Sequence, residues 1–287
     1  MTSQNSDDVK TLISPSGTFE IHSAGAHITR WDTPEFGPVL FVSKDSGYGV
    51  GTAIRGGIPL CMPWFGRGHT GTMTPSHGFG RLANWRVLRE KETPVGEWTI
   101  ELGLNNDDVR ETDGAQLFPN SFEATYTATF AADSLHVSLT MHNTGTEAFL
   151  YEEALHTYFA VGDITQVEIT GLEMAPYEDS VTGDDDVRPT HKAVTFTGET
   201  DRVYSSRGTT TIIDKELQRL IKIEKANSAA TVVWNPWSER AAAMKDLGND
   251  EWRTFVCVES ANIGDDAITI QPGASHTISA TYTVFGI

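Results

Sequence analysis

Apolar and polar residues alternate along much of this chain. Phe122, Ala124, Tyr126, Ala128 and Phe130 fall on one side of a two-residue period, and Glu123, Thr125, Thr127 and Thr129 on the other. Leu135, Val137, Leu139 and Met141 alternate with His136, Ser138, Thr140 and His142. Ile278, Ala280, Tyr282 and Val284 alternate with Thr277, Ser279, Thr281 and Thr283. Such a period sends successive side chains to opposite faces of a strand, so these runs predict strands with one buried and one wet face. Their richness in Thr, Val, Ile and aromatics suits a pleated surface. Shorter runs predict strands over 18–23, 26–31, 39–42, 84–90, 98–104, 166–170, 193–196, 209–213, 220–225, 230–234, 253–259 and 267–270. Helix signals are thin; the best is 238–247, with Ser238 as N-cap and Gly248 as stop. Many short strands punctuated by Gly, Pro and Asp predict an all-β fold, a large antiparallel sandwich or barrel.

The 287 residues suit one large β domain, and no break in composition marks a linker. Residues 1–9 are polar and read as a disordered tail ahead of a single domain over 10–287. They lack the apolar core of a signal peptide, and no run approaches the ~20 apolar residues that span a bilayer. The formal net charge of -18 argues against nucleic acid and anionic membranes as partners. Cys61 and Cys257 sit in apolar contexts and read as two free thiols of a cytoplasmic protein. The acidic run 183–186 reads as a solvated loop tip, since a calcium loop spaces its oxygen ligands more widely.

Candidate chemistry gathers in a few places. Residues 55–85 are dense in Gly, Pro and aromatics and carry Arg55, Arg67, His77 and Arg81. Glycine lets a ligand approach the backbone closely, and loops on a rigid scaffold are where binding residues concentrate. A structural loop with solvated arginines fits the stretch equally well. The run 149–161 reads as one strand. Phe149, Tyr151, Leu155, Phe159 and Val161 form an apolar face broken by Glu153, and His156 lies opposite with Glu152, Ala154 and Tyr158. An imidazole on a strand among aromatics can give or take a proton near neutral pH; taken alone, a hydrogen-bonded strand histidine is the plainer reading. Along 253–259, Glu259 follows Phe255 and Cys257 on one face. A carboxyl at the end of an apolar strand gains proton affinity by desolvation, which suits a general base; a solvated strand end is the alternative. Asp201, in an acidic turn, can meet sugar hydroxyls, and the aromatics of 233–237 can stack on a sugar or fill a core. A zinc site from His69, His77 and His156 lacks paired ligand spacing, so no metal or cofactor is expected.

Seven stretches, in order over roughly residues 50–260, carry a resemblance. They are Arg-Gly-Gly-Ile-Pro from Arg55, Met-Pro-Trp-Phe-Gly from Met62, His-Gly-Phe-Gly-Arg from His77, Ala-Leu-His-Thr-Tyr-Phe from Ala154, Glu-Thr-Asp-Arg-Val-Tyr from Glu199, Val-Trp-Asn-Pro-Trp from Val233 and Val-Cys-Val-Glu from Val256. Together they resemble the D-hexose-6-phosphate mutarotases, or glucose-6-phosphate 1-epimerases, of the aldose 1-epimerase superfamily. The resemblance implies a galactose-mutarotase-like β-supersandwich of antiparallel sheets and an isomerase that interconverts the anomers of a hexose 6-phosphate. It implies His156 as acid, Glu259 as base, Arg55 and Arg81 at the phosphate, and His77 and Asp201 at the sugar. Ser76 and the Ser260-Ala-Asn run depart from the family pattern, the first beside the phosphate contacts. A mutarotase of free aldoses and a non-catalytic sugar-binding module are the alternatives. A monomer is expected.

Overall fold

The computed structural model describes residues 7–188 and 191–287. Residues 1–6 of the expected tail lie outside that range. The rest of the tail is tied down: His22 Nδ1 donates to the Asp7 carboxylate at 2.7 Å, and Val9 opens a strand, Val9–Ser14, paired with Gly17–His22.

Two antiparallel sheets dominate. The larger runs in the order Val194–Thr195, Val167–Thr170, Thr210–Asp214, Arg219–Ala226, Ser275–Gly286, Ser134–Asn143, Phe122–Phe130, Trp98–Asn105 and Arg86–Glu92. Here the two-residue period is realised as predicted. Leu135, Val137, Leu139, Met141, Ile278, Ala280 and Tyr282 are buried while their Thr and Ser neighbours face outward. The second sheet runs Asp184–Val187, Tyr177–Asp179, Thr200–Ser205, Ala230–Asn235, Phe255–Asn262, Glu153–Leu155 and Leu60–Cys61, with Tyr158–Ala160 also pairing Phe255–Asn262. Every residue of Ala230–Asn235 and Phe255–Asn262 is buried, so the centre of this sheet is covered on both faces. One apolar cluster extends from Phe19 to Val284 and includes Trp31, Trp85 and Trp98. Among the described residues no helix is long and apolar enough to cross a membrane.

Several expectations are corrected. The run 149–161 is three short strands. Phe149–Tyr151 pairs with Ile268–Ile270 in a separate sheet, while the amides of Glu152 and His156 bond to the carbonyls of Pro63 and Pro59. The helix spans Trp237–Ala243 instead of 238–247. Asn235 Oδ1 accepts the Trp237 amide and starts it, and after Met244 the chain extends to carry Asp246 to Arg55. The acidic tip includes a strand, Asp184–Val187, at the rim of the second sheet, where exposed charge opposes pairing with another chain. The strands Leu60–Cys61 and Tyr177–Asp179 were not predicted, and 39–42 makes only isolated bridges.

Candidate active site

Cross-strand partners share a face of a sheet. Asp201 pairs with Trp234, Trp234 with Cys257, and Cys257 with Tyr158, which makes one row across four strands. Two residues on, Val203, Val232 and Glu259 form the next row on the same face. Leu155 pairs with Ser260 and Tyr158 with Cys257. Each pair sums to 415, so the register continues through the break and sets His156 across from Glu259. The side chains meet there: His156 Nε2 lies 3.3 Å from Glu259 Oε1, with both residues buried.

Burial decides the charge of this pair. Desolvation lowers the proton affinity of His156 well below the usual imidazole range, and His77, Arg81 and Arg55 push the same way. Desolvation raises Glu259 well above the usual carboxylate range, with Asp201 adding to it and Arg81 opposing. Both directions favour the uncharged pair, with the proton on Glu259. The ion-paired form differs only by moving that proton across the contact. Tyr158 stacks on the His156 ring at 4.9 Å and 12°, and Trp234 meets it edge-on at 6.2 Å. Glu259 Oε2 has no hydrogen-bond partner among the described residues.

The glycine-rich loops bring His77 to the same place, its ring edge-on to His156 at 5.6 Å. His77 sits at φ +64, a strained backbone for a side-chain-bearing residue. The Gly66 amide donates to His77 Nδ1 at 3.2 Å, which leaves the ring proton on Nε2. Desolvation, aided by Arg81 and Arg55, lowers His77 to about 3, so it acts as a neutral hydrogen-bond donor. Next to it, Gly78 has φ +71, and a Cβ there would stand 2.0 Å from the Met62 carbonyl oxygen.

The arginines are engaged. Arg55 Nε and Nη2 donate to Asp246 Oδ2 at 3.1 and 2.9 Å, and Nη1 donates to the Tyr158 hydroxyl at 2.9 Å. Burial opposes the charge on Arg55, but Tyr158 and Asp246 outweigh it and raise its proton affinity. Arg81 Nη2 donates to the Ser76 carbonyl, and its Nε has no partner among the described residues. Asp201 is half-buried, 3.9 Å from Arg240 Nη1. Desolvation raises its pKa, against the pull of Arg240. Arg67 and His69 are exposed. Sequence reasoning missed Asp246, which the predicted helix concealed, the Tyr158 hydroxyl and the Phe65 ring. Phe65 packs edge-on to His77 at 4.6 Å.

Three donors converge at the centre: His156, Cys257 and Glu259 offer N, S and O atoms within 4.8 Å of one another. By composition this set, and not the zinc set considered from sequence, is the one that could hold a metal ion. Burial keeps the Cys257 thiol protonated far above its ordinary range. Both cysteines are free and buried. A surface cavity of about 740 Å³ lined by Arg86, Asp108 and Arg110 contains none of these groups.

Fold and site together define an antiparallel β-sandwich with a buried histidine–glutamate pair on one sheet face. The family model for aldose 1-epimerase matches residues 8–283, and the chain belongs to that family. It is 32% identical over 262 residues to a protein of Cenchrus ciliaris, covering 88% of this chain and 77% of that protein. It is 33% identical over 239 residues to a protein of Escherichia coli (strain K12), covering 83% and 77%. Both are named "Putative glucose-6-phosphate 1-epimerase". The crystal structure of a "putative mutarotase" from Salmonella typhimurium superposes with a TM-score of 0.88 at 26% identity, covering 100% of this chain and 96% of that one. A galactose mutarotase related enzyme from Lactobacillus acidophilus shares the fold, with a TM-score of 0.75 at 13% identity over 97% and 98% of the two chains. The expected galactose-mutarotase-like supersandwich is the observed fold.

Proposed function

We propose that this chain is an isomerase that interconverts the α and β anomers of a hexose 6-phosphate, as the names of its relatives indicate. The observation that carries this reading is the 3.3 Å contact between His156 and Glu259 in a buried, aromatic-walled site. The two groups stand side by side, and the sugar lies over them. That suits an anomeric centre, because the C1 hydroxyl and the ring oxygen are bonded to the same carbon. Glu259, as carboxylate, takes the proton of the C1 hydroxyl, and protonated His156 gives one to the ring oxygen. The C1–O5 bond opens to an aldehyde and a C5 hydroxyl. Rotation about C1–C2 presents the other carbonyl face, and reclosure returns both protons. Opening leaves Glu259 protonated and His156 neutral, the form that burial favours. The pair alternates between two arrangements of one proton, and no cofactor enters the proton balance.

Arg55 and Arg81 take the phosphate, and their influence on both His156 and His77 supports a place beside the sugar. His77 donates from Nε2 and Asp201 accepts from sugar hydroxyls. The test is anomerisation of glucose 6-phosphate against free glucose and galactose. Each of His156→Ala and Glu259→Gln should lower kcat by about a hundredfold or more while the protein stays folded. Unchanged rates in both would overturn the assignment and favour a sugar-binding module. One observation favours a mutarotase of free aldoses: Arg55 already has Asp246 as a counter-ion. Equal efficiency on phosphorylated and free sugars would select that reading. We further take residues 10–287 as one monomeric domain, supported by the continuous apolar cluster, and place the protein in the cytoplasm on its two buried free thiols.

A further inference from the structure

A buried carboxylate beside the site takes no part in the proton transfers. Glu152 is 3% exposed, and its partners are two backbone amides. Oε2 accepts from Phe65 N at 3.0 Å and Oε1 from Gly264 N at 3.0 Å. Burying a carboxylate is costly unless its oxygens are hydrogen-bonded. A glutamine of the same size would not serve both amides. It has one acceptor oxygen, and its NH₂ would face the second N–H.

The two amides belong to the two sides of the active site. Phe65 precedes Gly66, which exchanges hydrogen bonds with His77: Gly66 N donates to His77 Nδ1, and His77 N donates to the Gly66 carbonyl at 2.7 Å. Gly264 lies two residues past the end of Phe255–Asn262, the strand that carries Glu259. Glu152 itself stands four residues before His156, and the amides of both bond to the prolines that flank Leu60–Cys61, at Pro63 and Pro59. One side chain thus joins the segments that carry His77, His156 and Glu259. We propose that Glu152 is a positioning residue: by clamping the Phe65 and Gly264 amides it sets the His77 ring against the His156–Glu259 pair. This rests on the proposed epimerase reading for its effect on rate, but not for its effect on structure.

The experiment is a double-mutant cycle of Glu152→Gln and His77→Ala, read by anomerisation of glucose 6-phosphate. Glu152→Gln alone should lower kcat on the order of tenfold to a hundredfold, the range a small misplacement produces, with KM changed far less. In the His77→Ala background the same substitution should cost little more, because residues that act as a unit are not additive. A wild-type kcat in Glu152→Gln, or losses that multiply in full, would overturn the proposal. Two readouts do not need turnover. In the wild-type protein, hydrogen exchange at Phe65 and Gly264 should be slow although neither amide belongs to a strand; exchange at open-loop speed in both would overturn the clamp even if Glu152→Gln does not fold. In folded Glu152→Gln, the ¹⁵N shifts of the His77 ring should lose their single-tautomer signature, and unchanged shifts would also overturn it. If the wild-type protein fails to anomerise the sugar, the epimerase reading falls, and the exchange and ring-shift data decide the clamp separately.

Discussion

The chemistry of single residues here is set by what burial does to charge. His156 and Glu259 share one proton, and each group alone is held neutral by desolvation. A second proton must enter a lowered imidazole, and the last proton must leave a raised carboxyl. The free enzyme should therefore show a bell-shaped kcat/KM profile, with its acid limb below the ordinary imidazole value and its alkaline limb above the ordinary carboxylate value. Both limbs belong to the pair and not to either residue. A profile with a single limb would contradict this. Arg81 and Arg55 contribute to lowering His156, so an anion that neutralises them should raise its affinity for a proton. Titrating His156 by NMR with and without inorganic phosphate tests that sign, and an unshifted ring would separate the arginines from the imidazole. Arg55 points three of its five N–H donors at Asp246 and Tyr158. Asp246 is part-exposed, so the ion pair is worth about 1 kcal/mol at most as an orienting contact. Asp246→Asn should raise KM for a hexose phosphate by about fivefold, leave kcat nearly intact and leave free glucose unaffected.

At the level of elements, the site depends on a loop held in conformations that side chains avoid. Gly78→Ala would put a Cβ on the Met62 carbonyl at φ +71. It should lower stability by about 1–3 kcal/mol or more and weaken sugar binding by displacing His77. Thermal unfolding and KM measured together check both effects. This loop shows where the sequence was readable and where it was not. Its glycines, arginines and histidine marked it as a candidate binding loop, with a structural loop fitting equally well, and their partners lie far along the chain, at Asp246, Tyr158 and Glu152. The strands of the larger sheet were legible because one face is wet and the period of two survives. The centre of the sheet that carries the site is buried on both faces, so 149–161 showed alternation that the backbone does not follow. His156 and Glu259 were each visible as candidate proton-transfer groups. Their adjacency was not, because it follows from a register between strands about a hundred residues apart. The side chains meet at 3.3 Å.

For the whole molecule, buried histidines link stability to acidity. His27 is fully buried, and desolvation lowers it to about 3, against the hydrogen bond that its Nε2 donates to the Gly56 carbonyl at 2.7 Å. Its folded pKa lies below its unfolded value near 6.5. The unfolded chain therefore binds a proton in the window between 6.5 and 3, and the folded one does not. The stabilisation is complete above pH 6.5 and is lost as pH falls through that window, by about 1.4 kcal/mol per pH unit. His77, also lowered to about 3, acts in the same direction. Acidification also reduces the net charge of -18, which eases self-repulsion and works the other way. The two effects separate in a comparison of variants, because the global charge term is nearly common to both proteins. His27→Gln keeps a side-chain N–H for Gly56 and removes the titration. It should be less stable than wild type at pH 7 through imperfect packing, and its stability should fall less steeply between pH 6 and 4, by about 1.4 kcal/mol per unit. Denaturant midpoints across that range measure the slope difference, and parallel curves would show that His27 takes no part. Gly56 adjoins Arg55, so the same hydrogen bond ties acid stability to the loop that holds the arginine proposed to take the phosphate. In wild type, substrate affinity should fail over the same pH interval in which the fold weakens.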